Sequence, residues 1–533
     1  MQDLWIKLPM LVLFFGITIF VGVYCRKHST DVNGFVLGGR SVGPWLTAFA
    51  YGTSYFSAVV FVGYAGQFGW KYGIAATWIG IGNALIGSLM AWSLLGRRTR
   101  IMTQHLESAT MPQFFEKRFD SKALKLASSA IIFIFLIPYT ASLYNGLSRL
   151  FGMAFQIDYG VCILIMAILT AVYVVLGGYM ATAINDFIQG IIMIVSIIAV
   201  IAAVLNGQGG FAEAMDKLGH VVDPAVSKTP GVFASFFGPD PVNLLGVVIL
   251  TSLGTWGLPQ MVQKFYAIKS ERAINKGMLI SSVFAIVVAG GCYFLGGFGR
   301  LFSDKVDIAA NGYDSIIPTV LSDLSPFLIS VVVVMVLSAS MSTLSSLVLT
   351  SSSTLTLDFI KGTLSKKMSE KKQLLTMRLL IVVFIMISVV LALVQYHSNV
   401  TFIAQLMGVS WGALAGAFLA PFLYGLYWKR TTKAAIWVSF IFSTVVMLLN
   451  VVANSIYPPI LRSPINTGAF CMFAGLILVP IVSIFTKKLP KPFTDTVFSC
   501  YNHKIIVPVT DSIGSAVELV SEEEKNENTA IGQ

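Results

Sequence analysis

An all-α polytopic membrane protein is the fold class this sequence predicts, and three observations carry it. Of 533 residues, 56% are hydrophobic and 11% charged, against roughly 25% charged in ordinary soluble domains. The mean hydropathy is +0.79. The apolar residues fall in continuous runs long enough for crossings of about 20 residues, not in the alternating ten-residue segments of an outer-membrane barrel.

In chain order the runs are 8–25, 44–68, 73–96, 124–153, 158–178, 183–205, 241–268, 275–298, 326–357, 374–396, 400–428, 433–455 and 466–486, which makes thirteen spans. The first is preceded only by Asp3 and Lys7 and lacks a basic n-region or a small-residue cleavage site. It therefore reads as a retained helix and not as a signal peptide. Orientation follows from charge, because cytoplasmic loops are rich in Lys and Arg. Arg97, Arg98, Arg100, Lys117, Arg118, Lys122 and Lys125 crowd one loop. The same face receives Arg26, Lys27, Arg40, Lys269, Arg272, Lys361, Lys366, Lys367, Lys371, Lys372, Lys429 and Arg430. Loops 206–240 and 299–325 hold few bases among several acids. This places the N-terminus outside and the C-terminus inside. The net charge of +11 is then a property of cytoplasmic loops and implies no nucleic-acid partner. Residues 487–533, ending in Glu522, Glu523, Glu524 and Lys525, read as a loosely ordered cytoplasmic tail.

Two spans are interrupted at matching places. The second contains Gly52-Thr53-Ser54-Tyr55-Phe56-Ser57 and the seventh Gly254-Thr255-Trp256-Gly257-Leu258-Pro259-Gln260. Unwound backbone inside a bilayer persists only where it lines a cavity or coordinates something, and paired breaks of this kind point to a transporter's binding site. Their separation by five spans predicts an inverted repeat. The resulting divisions are 1–43 (first helix and cytoplasmic loop), 44–205 and 241–428 (the two five-helix units), 206–240 (extracellular loop), 429–486 (two further helices) and 487–533 (tail).

Asp186 is the one acidic side chain set clearly inside a span, away from its ends. A carboxylate there is costly unless neutralised, and no Lys or Arg within a span presents itself as partner. A bound cation, a proton or a wet vestibule would have to serve. In the ninth span, Ser338, Ser340, Ser342, Thr343, Ser345 and Ser346 place six hydroxyls in nine positions. Ser342, Ser345 and Ser346 share a face at i, i+3, i+4, with Thr343 on an adjacent one, so two neighbouring oxygen sites for a hard cation are feasible. A single membrane Ser or Thr is usually accounted for by a bond back to its own helix; a cluster of six is not. The five histidines (His28, His105, His220, His397, His503) lie in loops, at helix edges or in the tail, and there is no HExxH, GxSxG or P-loop. The five cysteines show no metal or disulfide spacing. An enzyme is thus disfavoured, and ion-coupled transport favoured.

The residues resemble those of the sodium:solute symporter family, which includes sodium/proline-type symporters, over about residues 8–485. The resemblance rests on Gly38-Gly39-Arg40-Ser41, on Gly177-Gly178-Tyr179-Met180-Ala181 leading into Asn185-Asp186, on Met341-Ser342-Thr343-Leu344-Ser345, and on the stretch from Gly408 to Phe418. It implies a LeuT-like five-plus-five inverted repeat with one helix before it and two after. It also implies a first sodium site made by the carbonyls of Thr53, Phe56 and Ala339 with the hydroxyls of Ser342 and Thr343. A second, present in some members, would use Asp186, Ser342, Ser345 and Ser346. Sodium is then the coupling ion, with no organic cofactor, and the protein works as a monomer in the cell membrane.

The solute pocket is expected between the two breaks, with Tyr55, Ser57, Asn83, Tyr139, Tyr144, Thr255, Trp256, Gln260 and Gln405 as its candidates. Tyr55 stands where sodium/proline symporters carry Asp, and residues 127–148 lack the Arg of sialic acid members, so those two solutes lose ground. A pocket without fixed charge suits an amino acid, a small carboxylate or a sugar. A proton-coupled symporter titrating Asp186 and a transporter-like nutrient sensor are the alternatives.

Overall fold

The computed structural model describes residues 4–155, 158–227, 229–308, 312–364, 367–398 and 403–502, with the short antiparallel pair 505–506 and 520–521 beyond them. Lys366, His503 and Glu522 to Lys525 lie outside the described residues. Eleven helices among those described are long and apolar enough to cross a membrane. Two of these stretches, Val59–His105 and Gly160–Gly207, run to 47 and 48 residues. At 1.5 Å per residue either would be about 70 Å long, far more than one bilayer core of about 30 Å requires.

The helices used below are α1 (Leu4–Cys25), α2 (Pro44–Tyr55), α3 (59–72), α4 (77–105), α5 (Met111–Phe119), α6 (Lys122–Phe155), α7 (159–177), α8 (179–207), α9 (Pro241–Leu253), α10 (Pro259–Ala267), α11 (271–297), α12 (Pro326–Thr354), α13 (Glu370–Ser398), α14 (Ile403–Tyr427), α15 (Lys433–Val452), α16 (Pro464–Phe485) and α17 (Lys491–Phe498). The chain turns between α7 and α8 at Gly178, where φ is +55° and ψ −150°. A side chain there would be strained, and a Cβ would fall 2.9 Å from the Phe35 carbonyl oxygen, so only glycine serves.

Both interruptions are breaks in the helix. α2 starts with Pro44 at its first turn, where the absent N–H costs nothing, and stops at Tyr55; Phe56 is extended (φ −83°, ψ 126°) and the chain resumes as α3. α9 ends at Leu253, passes through a 3-10 turn at Gly254–Trp256, and Leu258 is extended (φ −80°, ψ 122°) before Pro259 opens α10. Each break leaves carbonyls at the end of one half-helix without intrahelical partners.

Burial separates the centre from the rim. In the most apolar window of α14, 89% of residues are buried, and in that of α12 78%, whereas the windows of α13, α15 and α16 are 39% buried. The last three therefore turn most of their apolar surface outward, as lipid-facing helices do. From Val332 to Thr354 every residue of α12 is buried. A helix carrying the hydroxyl cluster of 338–346 and enclosed on every side is well placed to form an internal polar site.

At the basic end the start of the expected tail is packed down. α17 lies against the loops: Lys429 Nζ is 2.8 Å from Asp495, His105 Nε2 is 3.0 Å from the Thr496 carbonyl, and Tyr501 donates to the Arg98 carbonyl at 3.1 Å. The expectation of a loose tail does not hold for 491–502, because Phe498 and Tyr501 give this segment apolar surface to bury against Arg118 and Arg98.

Candidate functional site: two polar clusters where the broken helices meet α12

The first cluster joins the end of α2 to the middle of α12. Ser342 Oγ lies 3.2 Å from the Thr53 carbonyl and 3.0 Å from that of Ala339. Thr343 Oγ1 lies 3.2 Å from the carbonyls of both Thr53 and Phe56 and 3.0 Å from Ala339. The bonds to Ala339 alone would be ordinary back-bonding within a helix. Those to Thr53 and Phe56 are not, because they cross to the carbonyls freed by the break. Five oxygens, all buried, thus converge on one point. A cation of calcium's size, with oxygens at about 2.4 Å, holds neighbouring ligands about 3.4 Å apart, so a movement of a few tenths of an ångström would fit sodium here.

The second cluster lies one turn further along α12, at Ser346. Asp186 of α8 is fully buried, and neither carboxylate oxygen has a hydrogen-bond partner among the described residues. Lys264 of α10 brings Nζ to 3.9 Å from Asp186 Oδ2 and donates to Ser346 Oγ at 3.0 Å. The expectation that no basic side chain within a span could pair with Asp186 is therefore wrong. Lys264 lies four residues from the end of its run and suggests a side chain snorkelling to the interface. Every residue of α10 is buried, however, and the ammonium turns inward. Ser345 donates to the Ser342 carbonyl at 2.8 Å.

Beside the break, aromatic side chains gather. The Tyr55 and Trp411 rings are 5.7 Å apart and those of Tyr139 and Trp411 5.9 Å. Tyr55 Oη faces Tyr293 Oη, and Tyr139 Oη faces Ser57 Oγ and Trp411 Nε1. None of these five atoms meets hydrogen-bond geometry with a described residue. A buried polar atom left so costs about 1–3 kcal/mol, which is the mark of a place where a ligand or water completes the bonding. Trp411 and Tyr293 are not among the sequence candidates; an indole inside the Gly-rich stretch of α14 is the available signal for the first. Gln260 and Tyr144 are likewise buried with unpartnered polar atoms, Tyr144 beside Tyr173.

Thr255 and Trp256 are spoken for, and Asn83 only in part, since its Nδ2 is buried without a partner among the described residues. Thr255 donates to the Gly87 carbonyl at 3.0 Å, Trp256 Nε1 to that of Ile86 at 2.9 Å, and Ser252 to Asn83 Oδ1 at 3.0 Å. These residues fasten the second break to α4. Gln405 lines a different space, a cavity of about 770 Å³ bordered by Gln67, Tyr72, Asp223, Asp240 and Arg300 at the end opposite the basic loops. The basic end is closed. Arg40 donates to the carbonyls of Tyr266 (3.1 Å), Thr103 (3.3 Å) and Ser108 (2.6 Å), and Val42 pairs with Ala267 and Lys269. Burial, with Arg100 nearby, lowers the Arg40 pKa to about 10, so the clamp stays charged at neutral pH.

Residues 35–442 match the sodium:solute symporter family. The chain belongs to that family. It is 30% identical over 498 residues to a sodium/proline symporter of Staphylococcus aureus, covering 91% of this chain and 93% of the relative. It is 28% identical over 483 residues to an osmoregulated proline transporter of Bacillus subtilis, covering 90% and 94%. The solved structure of a Na⁺-coupled sialic acid symporter in its outward-open state superposes with a TM-score of 0.71 at 16% identity, over 91% of this chain and 99% of that one, and shows that the fold is shared. This symporter is accordingly a multi-pass membrane protein that imports a solute together with sodium.

Proposed function

We propose that this symporter carries a small neutral or zwitterionic solute, with amino acids as the leading class ahead of small carboxylates and sugars, and that sodium bound among Thr53, Phe56, Ala339, Ser342 and Thr343 drives the uptake. The observation that carries the sodium half is the reach of the Ser342 and Thr343 hydroxyls across to the carbonyls of the broken helix. An ion there ties α2 to α12. For the solute, the support is the uncharged set of unpartnered groups on Tyr55, Ser57 and Tyr139 with Trp411, and the proline transport named for both relatives makes proline the first solute to try.

The basic loops face the cytoplasm in this reading, the N-terminus lies outside, and the two overlong stretches each hold two crossings, for thirteen in all. Residues 44–205 and 241–428 are the inverted five-helix units, and the breaks at Phe56 and Leu258 are equivalent in them. Sodium and solute stabilise the same arrangement of α2 and α12, so each raises the other's affinity by one common factor. The test is thermal stability of the purified protein with proline, other amino acids, small carboxylates and sugars, each in sodium and in choline. A solute that stabilises only with sodium supports the reading; one that stabilises equally in both salts contradicts the coupling.

A further inference from the structure

The cation beside Asp186 is carried by the chain itself. The side chains of Lys264 and Asp186 are 2% and 0% exposed, and the ammonium has the Tyr179 ring 5.1 Å away as well as Ser346 Oγ at 3.0 Å. Ser346 Oγ in turn meets Ser54 Oγ at 2.8 Å, and Ser54 donates to the Ala50 carbonyl at 2.6 Å. Each hydroxyl has one proton to give, so the order is fixed: Lys264 donates to Ser346, Ser346 to Ser54, and Ser54 to Ala50. One carboxylate faces one ammonium, and the hydroxyls of Ser346, Ser54 and Ser345 are engaged. A sodium ion in this cluster would set two cations against one carboxylate and would have to take Ser346 from Lys264.

We propose that Lys264 is the resident cation of the Asp186 cluster, standing where a second sodium ion would otherwise bind, so that a single sodium ion at the Ser342–Thr343 site accompanies each solute. This rests on the sodium-coupled reading above. It also gives the lysine a part in the transport cycle. Lys264 is on α10 and Ser54 on α2, the halves of the two broken helices nearest the basic end, and both converge on Ser346. The chain of bonds through Ser346 must part before those halves can separate.

The test needs no solute. Thermal stability is followed against sodium concentration at constant ionic strength in choline, where the limiting slope against log sodium counts the ions bound to the folded state. The wild type is expected to show the slope of one ion, Lys264→Met that of two, and Asp186→Asn/Lys264→Met one again. In the wild-type background Thr343→Ala should abolish the response; in the Lys264→Met background it should leave one ion. A wild-type slope of two overturns the proposal while leaving sodium coupling intact, and so does a folded Lys264→Met protein that still binds one. A wild type that ignores sodium overturns the sodium-coupled reading itself. Should Lys264→Met fail to fold, Lys264→Ser, which supplies an oxygen in place of the ammonium, takes its place with the same expected slope of two.

Discussion

Thr343 makes more of the first cluster than any other side chain, since its one hydroxyl touches three carbonyls, two of them on the broken helix. Thr343→Ala should raise the sodium concentration for half-maximal uptake by about tenfold, the equivalent of about 1.4 kcal/mol, and Thr343→Ser should restore most of it. An unchanged sodium dependence in the alanine variant would remove Thr343 from the site. On the opposite rim, Arg300 Nη1 lies 2.7 Å from Asp223, and this hydrogen bond holds the Asp223 carboxyl below its ordinary range. A carboxyl so lowered contributes its full stability above the ordinary carboxylate pKa and loses it as the pH falls through the depressed value. Asp223→Asn should therefore cost about 1 kcal/mol at neutral pH, and the difference in Tm from the wild type should close in acid. The first cluster was legible in the sequence because hydroxyls crowded into an apolar span have few other uses, and the family resemblance supplied the carbonyls. Lys264 was not, because its distance along the chain from the end of a span says nothing of the direction its side chain takes. Thr255 and Trp256 looked like pocket residues for the opposite reason: a break offers polar groups, and only the packing of α4 against it decides which are used up.

Among the elements, α3 and α11 approach closely enough for backbone to touch backbone. A Cβ on Gly69 would fall 2.0 Å from the Gly296 carbonyl oxygen, and one on Gly296 2.1 Å from that of Ala65. Backbone cannot swing aside as a side chain can, so Gly69→Ala should destabilise by about 2 kcal/mol or more. Gly207→Ala, at a position with nothing within 4 Å of the added carbon, should change Tm little. Thermal unfolding of both variants side by side checks the contrast, and equal Tm values would refute the close contact. The two broken helices could be read from Gly, Pro and polar residues in apolar runs. What the sequence left open was their geometry: that Phe56 and Leu258 each become extended, and that a Gly-Gly pair turns the chain at 178.

For the molecule as a whole, the proposed transport cycle makes the closed basic end and the cavity at the opposite end one state of an alternating pair. Arg40 holds that closure through three carbonyls on two segments. Arg40→Ala should shift the population toward opening at the basic end. A cysteine placed at Ser108, which is buried beneath Arg40, should then react with a hydrophilic maleimide about tenfold faster, as a shift of about 1.4 kcal/mol gives; an unchanged rate would show that Arg40 is not the clamp. Fold class and basic face were plain from composition and charge, whereas the docking of α17 was hidden, since Phe498 and Tyr501 in a polar tail do not announce what they cover. The coupling of solute uptake to sodium assumes that sodium binds where α12 meets the broken α2. Direct binding of radioactive sodium to the purified protein tests this most closely. Saturable binding is expected, displaced by unlabelled sodium but not by potassium, and weakened at least about tenfold in Ser342→Ala and Thr343→Ala; equal binding by the wild type and both variants would place sodium elsewhere.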